Sequence, residues 1–175
     1  AVLNKNCALA LKEIVEHSPI PVVADIHFDY RLALIALDMG INARGLNPGN
    51  IGNIEHTTKV VEAAKKSNTP IRIGVNAGSL ERDLYENKDM SLVDKMIESA
   101  NRHIKILEDL NFRLIKISLK SSDTMTTINA YRKMYKITPY PLHVGLTESG
   151  TLKSGIVTSS VAIGTVLSEG IGDTI

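Results

Sequence analysis

The chain has 175 residues, 43% hydrophobic and 22% charged, and its 20 Lys and Arg against 19 Asp and Glu leave a formal net charge of +1. That balance, with signs alternating along the chain, gives no electrostatic reason for a nucleic-acid or membrane-surface partner, and one cysteine, Cys7, excludes both a disulfide framework and an internal metal–thiolate site. With no Trp and 4% aromatic residues the core must be aliphatic, which suits a parallel sheet covered by helices in one domain.

In chain order, residues 1–6 read as the exit of a strand, followed by a helix with Leu9, Leu11, Ile14 and Val15 on one side and a stop at His17-Ser18-Pro19. The run 21–28, Pro-Val-Val-Ala-Asp-Ile-His-Phe, is the first complete strand. Asp29 is the expected N-cap of a helix over 30–39 that Gly40 ends. A strand at 43–47 closes in the turn Asn47-Pro48-Gly49-Asn50, and a helix over 54–67 leads through Pro70 to the strand Ile71–Gly78. Residues 79–90 show no periodicity and read as a loop. The longest helix is expected at 91–110, then a strand at 114–119, a helix at 123–136 capped by Asp123, a strand at 140–147 and a helix at 156–169. Gly170 and Gly172 end it, and Thr174-Ile175 opens a further strand. His56 and His103 read as surface positions on helices, and Cys7 as an inert buried one.

Strand and helix alternate throughout, so the fold class is α/β with parallel strands. No GxGxxG fingerprint follows a strand, which disfavours a dinucleotide-binding sheet and favours a (β/α)8 TIM-barrel type. A complete barrel of that kind takes ~250 residues. Residues 1–175 are therefore read as an incomplete barrel domain holding about strands three to seven, with a stub of strand two and the start of strand eight.

Polar residues gather at the ends of the expected strands: Asp25 and His27; Asn47; Arg72 and Asn76; Ser118 and Lys120; His143 and Thr147. The residues of each pair are an even number apart, so they share a face of the strand. At the C-terminal end of a barrel that face is the floor of the active site. Arg72 and Lys120 against the single carboxylate of Asp25, with the glycine-bearing turns Asn47–Asn53, Asn76–Ser79 and Glu148–Thr151, suit an anionic small molecule, and a phosphorylated one best. Each residue has a plainer role open to it. Asp25 and His27 can pair structurally, Asn47 and Asn76 can cap turns, and His143 can be a satisfied core histidine. A buried cation inside an apolar strand is harder to explain that way.

Five stretches, VADIHFDYRLAL, LNPGNIGN, IRIGVNAGSLE, ISLKSSD and YPLHVGLTESGTLKSGIVTSSVAIGTVLSEGIGDTI, resemble in the same order the barrel domain of the 4-hydroxy-3-methylbut-2-enyl diphosphate synthases. The resemblance runs from the first residues to the last. It implies an oxidoreductase of the non-mevalonate isoprenoid pathway, which opens the ring of 2-C-methyl-D-erythritol 2,4-cyclodiphosphate reductively with two electrons. It implies a [4Fe–4S] cofactor, electrons from ferredoxin or flavodoxin, and a homodimer in which the partner's C-terminal domain brings the cluster. Arg72, Lys120, His27 and Thr147 match residues that hold the diphosphate, Asp25 and Asn76 match residues near the substrate hydroxyls, and Asn47 and Glu148 line the same cavity. Glu148 is the one catalytic candidate.

The resemblance also fails in places. The family usually has Arg where this chain has Gly45, and Arg44 is displaced by one position onto the opposite face. The cluster ligands, three cysteines and a glutamate in a separate C-terminal domain, and the first barrel strands are expected outside residues 1–175, so the chain has no metal site of its own and is expected to be inactive alone. The alternatives are a non-catalytic, degenerate barrel fragment and another phosphate-binding barrel enzyme such as a dihydropteroate synthase relative. No nucleic-acid or membrane partner is expected. With no signal pattern or long apolar span, the expected compartment is the cytoplasm, or the plastid in a plastid-bearing organism.

Overall fold

The computed structural model describes residues 1–26, 29–46 (backbone only over 43–46) and 54–175. The described elements run α1 (Lys5–His17), β1 (Val23–Ile26), α2 (Tyr30–Asp38), β2 (Ala43–Leu46), α3 (Ile54–Lys66), β3 (Ile71–Asn76), a 3-10 turn (Ala77–Ser79), α4 (Arg82–Glu86), α5 (Leu92–Asp109), β4 (Ile115–Lys120), α6 (Thr124–Tyr135) and α7 (Leu152–Ser168). The strands lie in the order β1-β2-β3-β4, so each new strand adds beside the last. The pairs β1–β2 and β2–β3 are parallel. At least one helix lies between each two successive described strands because a parallel return needs a crossover.

The chain divides into two compact units. The first comprises residues 1–73 and 103–115, and the second 74–102 and 116–175.

In the first unit α1 packs on α2 and α2 on α3. Their apolar faces bury Ala8, Leu11, Ala33, Ala36, Leu37, Val60, Val61 and Ala64. One of these helices starts at the expected cap, Asp29, and α1 starts at one the sequence reading did not name, Asn4. Asn4 Oδ1 accepts from Cys7 N at 3.0 Å, and Asp29 Oδ1 accepts from Arg31 N at 2.9 Å. Gly40 ends the second at φ +81°, a conformation that costs most side chains about 1–2 kcal/mol. Val2 N donates to Asp25 O at 2.9 Å, but the strand exit expected over 1–6 is cut short by α1, which starts at Lys5.

In the second unit α6 packs on α7. Ile128, Ala130, Tyr131, Met134, Ala162 and Val166 are buried there. Asp123 caps α6, its Oδ2 accepting from Thr126 N at 2.6 Å.

Strands β3 and β4 alternate as the period-two pattern requires. Ile71, Ile73, Val75, Ile115, Ile117 and Leu119 are buried, and Arg72, Gly74, Lys116 and Lys120 take the other face.

Five further expectations need correction. Residues 79–90 are not a loop, since they hold part of the 3-10 turn and the short helix α4. Leu84 anchors α4 at 2% exposure, one buried residue being too few to register as periodicity. The strand expected at 140–147 is reduced to isolated parallel bridges, Ile117↔Leu142 and His143↔Thr174. Helix α7 starts at Leu152 rather than 156, with Gly155 N bonded to Thr151 O at 2.6 Å. His103 is buried at 3% exposure, because 96, 100, 103 and 107 form one stripe of α5 with Met96, Ala100 and Leu107. Cys7 is half-buried.

Candidate functional site

In the first unit the parallel register sets Asp25 opposite Gly45, and Gly45 opposite Arg72. Residues in register on neighbouring strands share a face, so Asp25 and Arg72 stand on the same side with one strand between them. The residue on that strand is the glycine, and the two charged side chains meet: Arg72 Nη2 donates to Asp25 Oδ1 at 3.2 Å. The Arg72 side chain is 17% exposed and that of Asp25 44%. Arg44 pairs instead with Ala24 and Ile71, which are both buried. The register thus separates Arg44 from the Asp25–Arg72 row, as its displacement by one residue requires. His27 and Asn47 lie outside the described residues.

In the second unit Asn76 ends β3. It precedes the 3-10 turn without bonding it through its side chain, so the turn-capping role open to it is not taken. Ser118 is 2% exposed, and its Oγ lies 3.5 Å from where a Cβ on Gly74 would be. From the bridge Ile117↔Leu142, three residues further on each chain set Lys120 opposite Gly145. A Cβ there would stand 3.4 Å from Lys120 Cε and 3.7 Å from its Nζ, so the lysine stem lies over the glycine. Thr147 N donates to Ser121 O at 3.4 Å. His143 Nδ1 lies 2.8 Å from Thr174 Oγ1, a partner that satisfies it as a structural histidine. Glu148 is exposed at φ +52°. The other non-glycine residues with positive φ among those described are Asn68 and Asn111, and asparagine tolerates that region. A glutamate held there is under local strain of the sort that collects at functional positions.

Three features escaped the sequence. Gly145 sits two residues before Thr147, and the alternation could have placed it on the same face. Lys116 shares the face of Ser118 and Lys120 at a spacing of two, a signal that was readable. Tyr131 was legible as a core residue of α6, but nothing local announces that its hydroxyl reaches the backbone of two other segments.

A cleft of about 510 Å³ in the first unit, between the starts of α1 and α2, is lined by Leu3, Asn4, Lys5, Asp29, Arg31, Leu32 and Ile35 and contains none of the candidate residues. A [4Fe–4S] cluster needs about four ligands, thiolates above all. The chain has one cysteine, and the described residues include no group of three or more His, Cys, Asp or Glu able to hold a metal ion. The residues present do not fit such a cluster. No helix among the described residues is long and apolar enough to cross a membrane.

Comparison with known proteins adds identity to this geometry. A protein of Brevibacillus brevis named 4-hydroxy-3-methylbut-2-en-1-yl diphosphate synthase (flavodoxin) is 57% identical over 175 residues, 100% of this chain and 49% of that protein. A Desulfotalea psychrophila protein of the same name is 51% identical over 178 residues, with the same coverage. The chain thus spans about half the length of these relatives. Among solved structures, a dihydropteroate synthase of Xanthomonas albilineans superposes with a TM-score of 0.63 at 10% identity, over 93% of this chain and 61% of that one. The synthase of Vibrio fischeri gives 0.63 at 11% identity, over 91% and 66%. Likeness at such low identity shows a shared fold and no more. The family model described as the GcpE TIM-barrel domain matches residues 1–175, and the chain belongs to that family.

Proposed function

We propose that residues 1–175 are the substrate-holding part of a 4-hydroxy-3-methylbut-2-enyl diphosphate synthase, which binds and orients 2-C-methyl-D-erythritol 2,4-cyclodiphosphate for reductive ring opening. The observation that carries this is the family match along the whole chain, joined to relatives of that name at more than half identity. The site chemistry agrees with it. Arg72 and Lys120 supply the cations for a diphosphate, Arg72 in register with Gly45 and Lys120 with its stem over Gly145. Asp25 and Asn76 offer an acceptor and an amide for substrate hydroxyls, while His27, Asn47, Thr147 and Glu148 complete the set of binding and catalytic candidates.

Reduction supplies two electrons from outside these residues, and flavodoxin is the donor that the relatives' name indicates. The cluster of this reading, its ligands and the C-terminal domain that carries them belong to chain other than residues 1–175. The active species is a homodimer. What the described residues contribute is binding and orientation of the anion.

Titration calorimetry of the protein with the cyclodiphosphate tests the reading. Each charge-assisted bond to a diphosphate contributes ~1.5–3 kcal/mol, so Lys120→Ala or Arg72→Ala should weaken binding roughly 10–150-fold. A change of less than about threefold in both variants would overturn the assignment, since that is under ~0.7 kcal/mol.

A further inference from the structure

The ladder between β4 and the segment 141–147 starts in regular parallel form. Ile117 N donates to Pro141 O at 2.9 Å, and His143 N donates to Ile117 O at 2.7 Å. The next rung of a parallel ladder runs from Leu119 N to His143 O. That rung is not made directly, and the bridge at Ile117↔Leu142 stays isolated. The Tyr131 hydroxyl stands in its place. Leu119 N donates to Tyr131 Oη at 3.0 Å, and Tyr131 Oη donates to His143 O at 2.7 Å. Pairing returns only at Thr147 N to Ser121 O, a long 3.4 Å. That bond keeps the offset of the His143–Ile117 bond, so the register has not slipped and the strands have only parted.

Tyr131 is 0% exposed, and both hydrogen-bonding capacities of its hydroxyl are used. A hydroxyl bridging N–H and C=O holds the two backbones farther apart than a direct bond would. The parted stretch contains Gly145, which Lys120 lies over, and ends at Thr147.

We propose that Tyr131 is a positioning residue: its hydroxyl, inserted in the rung between Leu119 and His143, holds residues 143–147 away from β4 and so sets where the Lys120 ammonium and Thr147 stand for an anionic ligand. This rests on the diphosphate-binding reading above. Tyr131 touches no ligand and acts through the backbone of the two segments it separates. Without the hydroxyl, Leu119 N and His143 O can close on each other, and the segment after His143 is drawn toward β4.

The experiment uses the purified protein, inorganic pyrophosphate as probe, and amide hydrogen exchange followed by NMR. For Tyr131→Phe we expect the pyrophosphate Kd to rise about tenfold, equivalent to ~1.4 kcal/mol, and exchange at Gly145 to slow as the strands close. Thr127→Val removes another buried hydroxyl bonded to this backbone, accepting from Ser121 N and donating to Ser121 O at 3.3 Å each, but one outside the rung. It should change the Kd by less than about twofold. Tyr131→Phe binding like the unaltered protein, or Gly145 exchange unchanged, would overturn the proposal, as would an equal loss in Thr127→Val. Should Tyr131→Phe fail to fold, the unaltered protein decides. A scalar coupling across a direct Leu119 N–His143 C=O bond refutes the inserted hydroxyl, and its absence with a slowly exchanging Tyr131 hydroxyl proton supports it. No pyrophosphate binding by the unaltered protein sinks the anion reading and the positioning role with it, while the coupling still judges the rung.

Discussion

Arg72 and Lys120 are two solutions to one problem, how to keep a long cation in a parallel sheet. Each has a glycine as its neighbour in register, Gly45 for Arg72 and Gly145 for Lys120. Beyond that they differ. Arg72 reaches across its glycine to the carboxylate of Asp25, within a ladder paired without a break. Lys120 lies over its glycine beside a ladder that Tyr131 has opened. The guanidinium is held by the Asp25 carboxylate, and the lysine stem lies over Gly145. A glycine in a strand, weakening by propensity alone, leaves room at Gly145 for the lysine stem to lie down, and stands in register beside Arg72 at Gly45.

The largest expected effect tests that contrast directly. Lys120→Ala and Arg72→Ala should each lose about 10–150-fold in diphosphate affinity. Calorimetry showing a loss in only one of the two would break the comparison.

Next come the caps, one per unit, at ~1 kcal/mol each for Asp29→Ala and Asp123→Ala in chemical denaturation. The Arg31 side chain is the main cause that lowers the Asp29 carboxyl below its ordinary 3.8, whereas for Asp123 it is the backbone N–H of Thr126. A lowered carboxyl stabilises the native state at pH values above its ordinary pKa, and that stabilisation is lost as pH falls through the lowered native value. Both deficits should therefore vanish in acid. At high salt only the Asp29 deficit should shrink, since Arg31 is 73% exposed and its charge is screened.

A smaller effect, ~0.5–1 kcal/mol, is the coupling between Asp25 and Arg72 in a double-mutant cycle, modest because the Asp25 side chain is 44% exposed. In a Gly45→Val background the coupling should fall, since residue 45 is in register between the two partners. Coupling that persists would show that the pair does not depend on that glycine. Smallest is Gly145→Ala, whose methyl would stand 3.4 Å from Lys120 Cε. The flexible stem can give way, so stability should hold while pyrophosphate affinity falls about twofold, ~0.4 kcal/mol.

The sequence carried most of the frame because the frame is periodic. Ile71–Asn76 alternates so cleanly that the face shared by Arg72 and Asn76 could be read directly, and Asp29 and Asp123 announced their helices. What could not be read depends on distant partners. The Asp25–Arg72 bond needs two strand registers to align across Gly45, and face assignment alone does not give the rung. The run 140–147 has the composition of a strand, but whether it pairs is decided by a tyrosine on α6. His103 was misplaced for a simpler reason, a polar residue type outweighing its position on the buried stripe of α5.

The inserted hydroxyl also gives the molecule an optical signature. With no Trp, near-ultraviolet circular dichroism falls mainly to five tyrosines. Tyr85 and Tyr135 are 70% and 55% exposed and contribute little, while Tyr131 is sealed and held at both ends of its hydroxyl bridge. Its band should be the strongest in the spectrum, and because such signals need fixed packing it should fade before the helical signal in the far ultraviolet. A spectrometer could then follow the opening of one rung of backbone without any label.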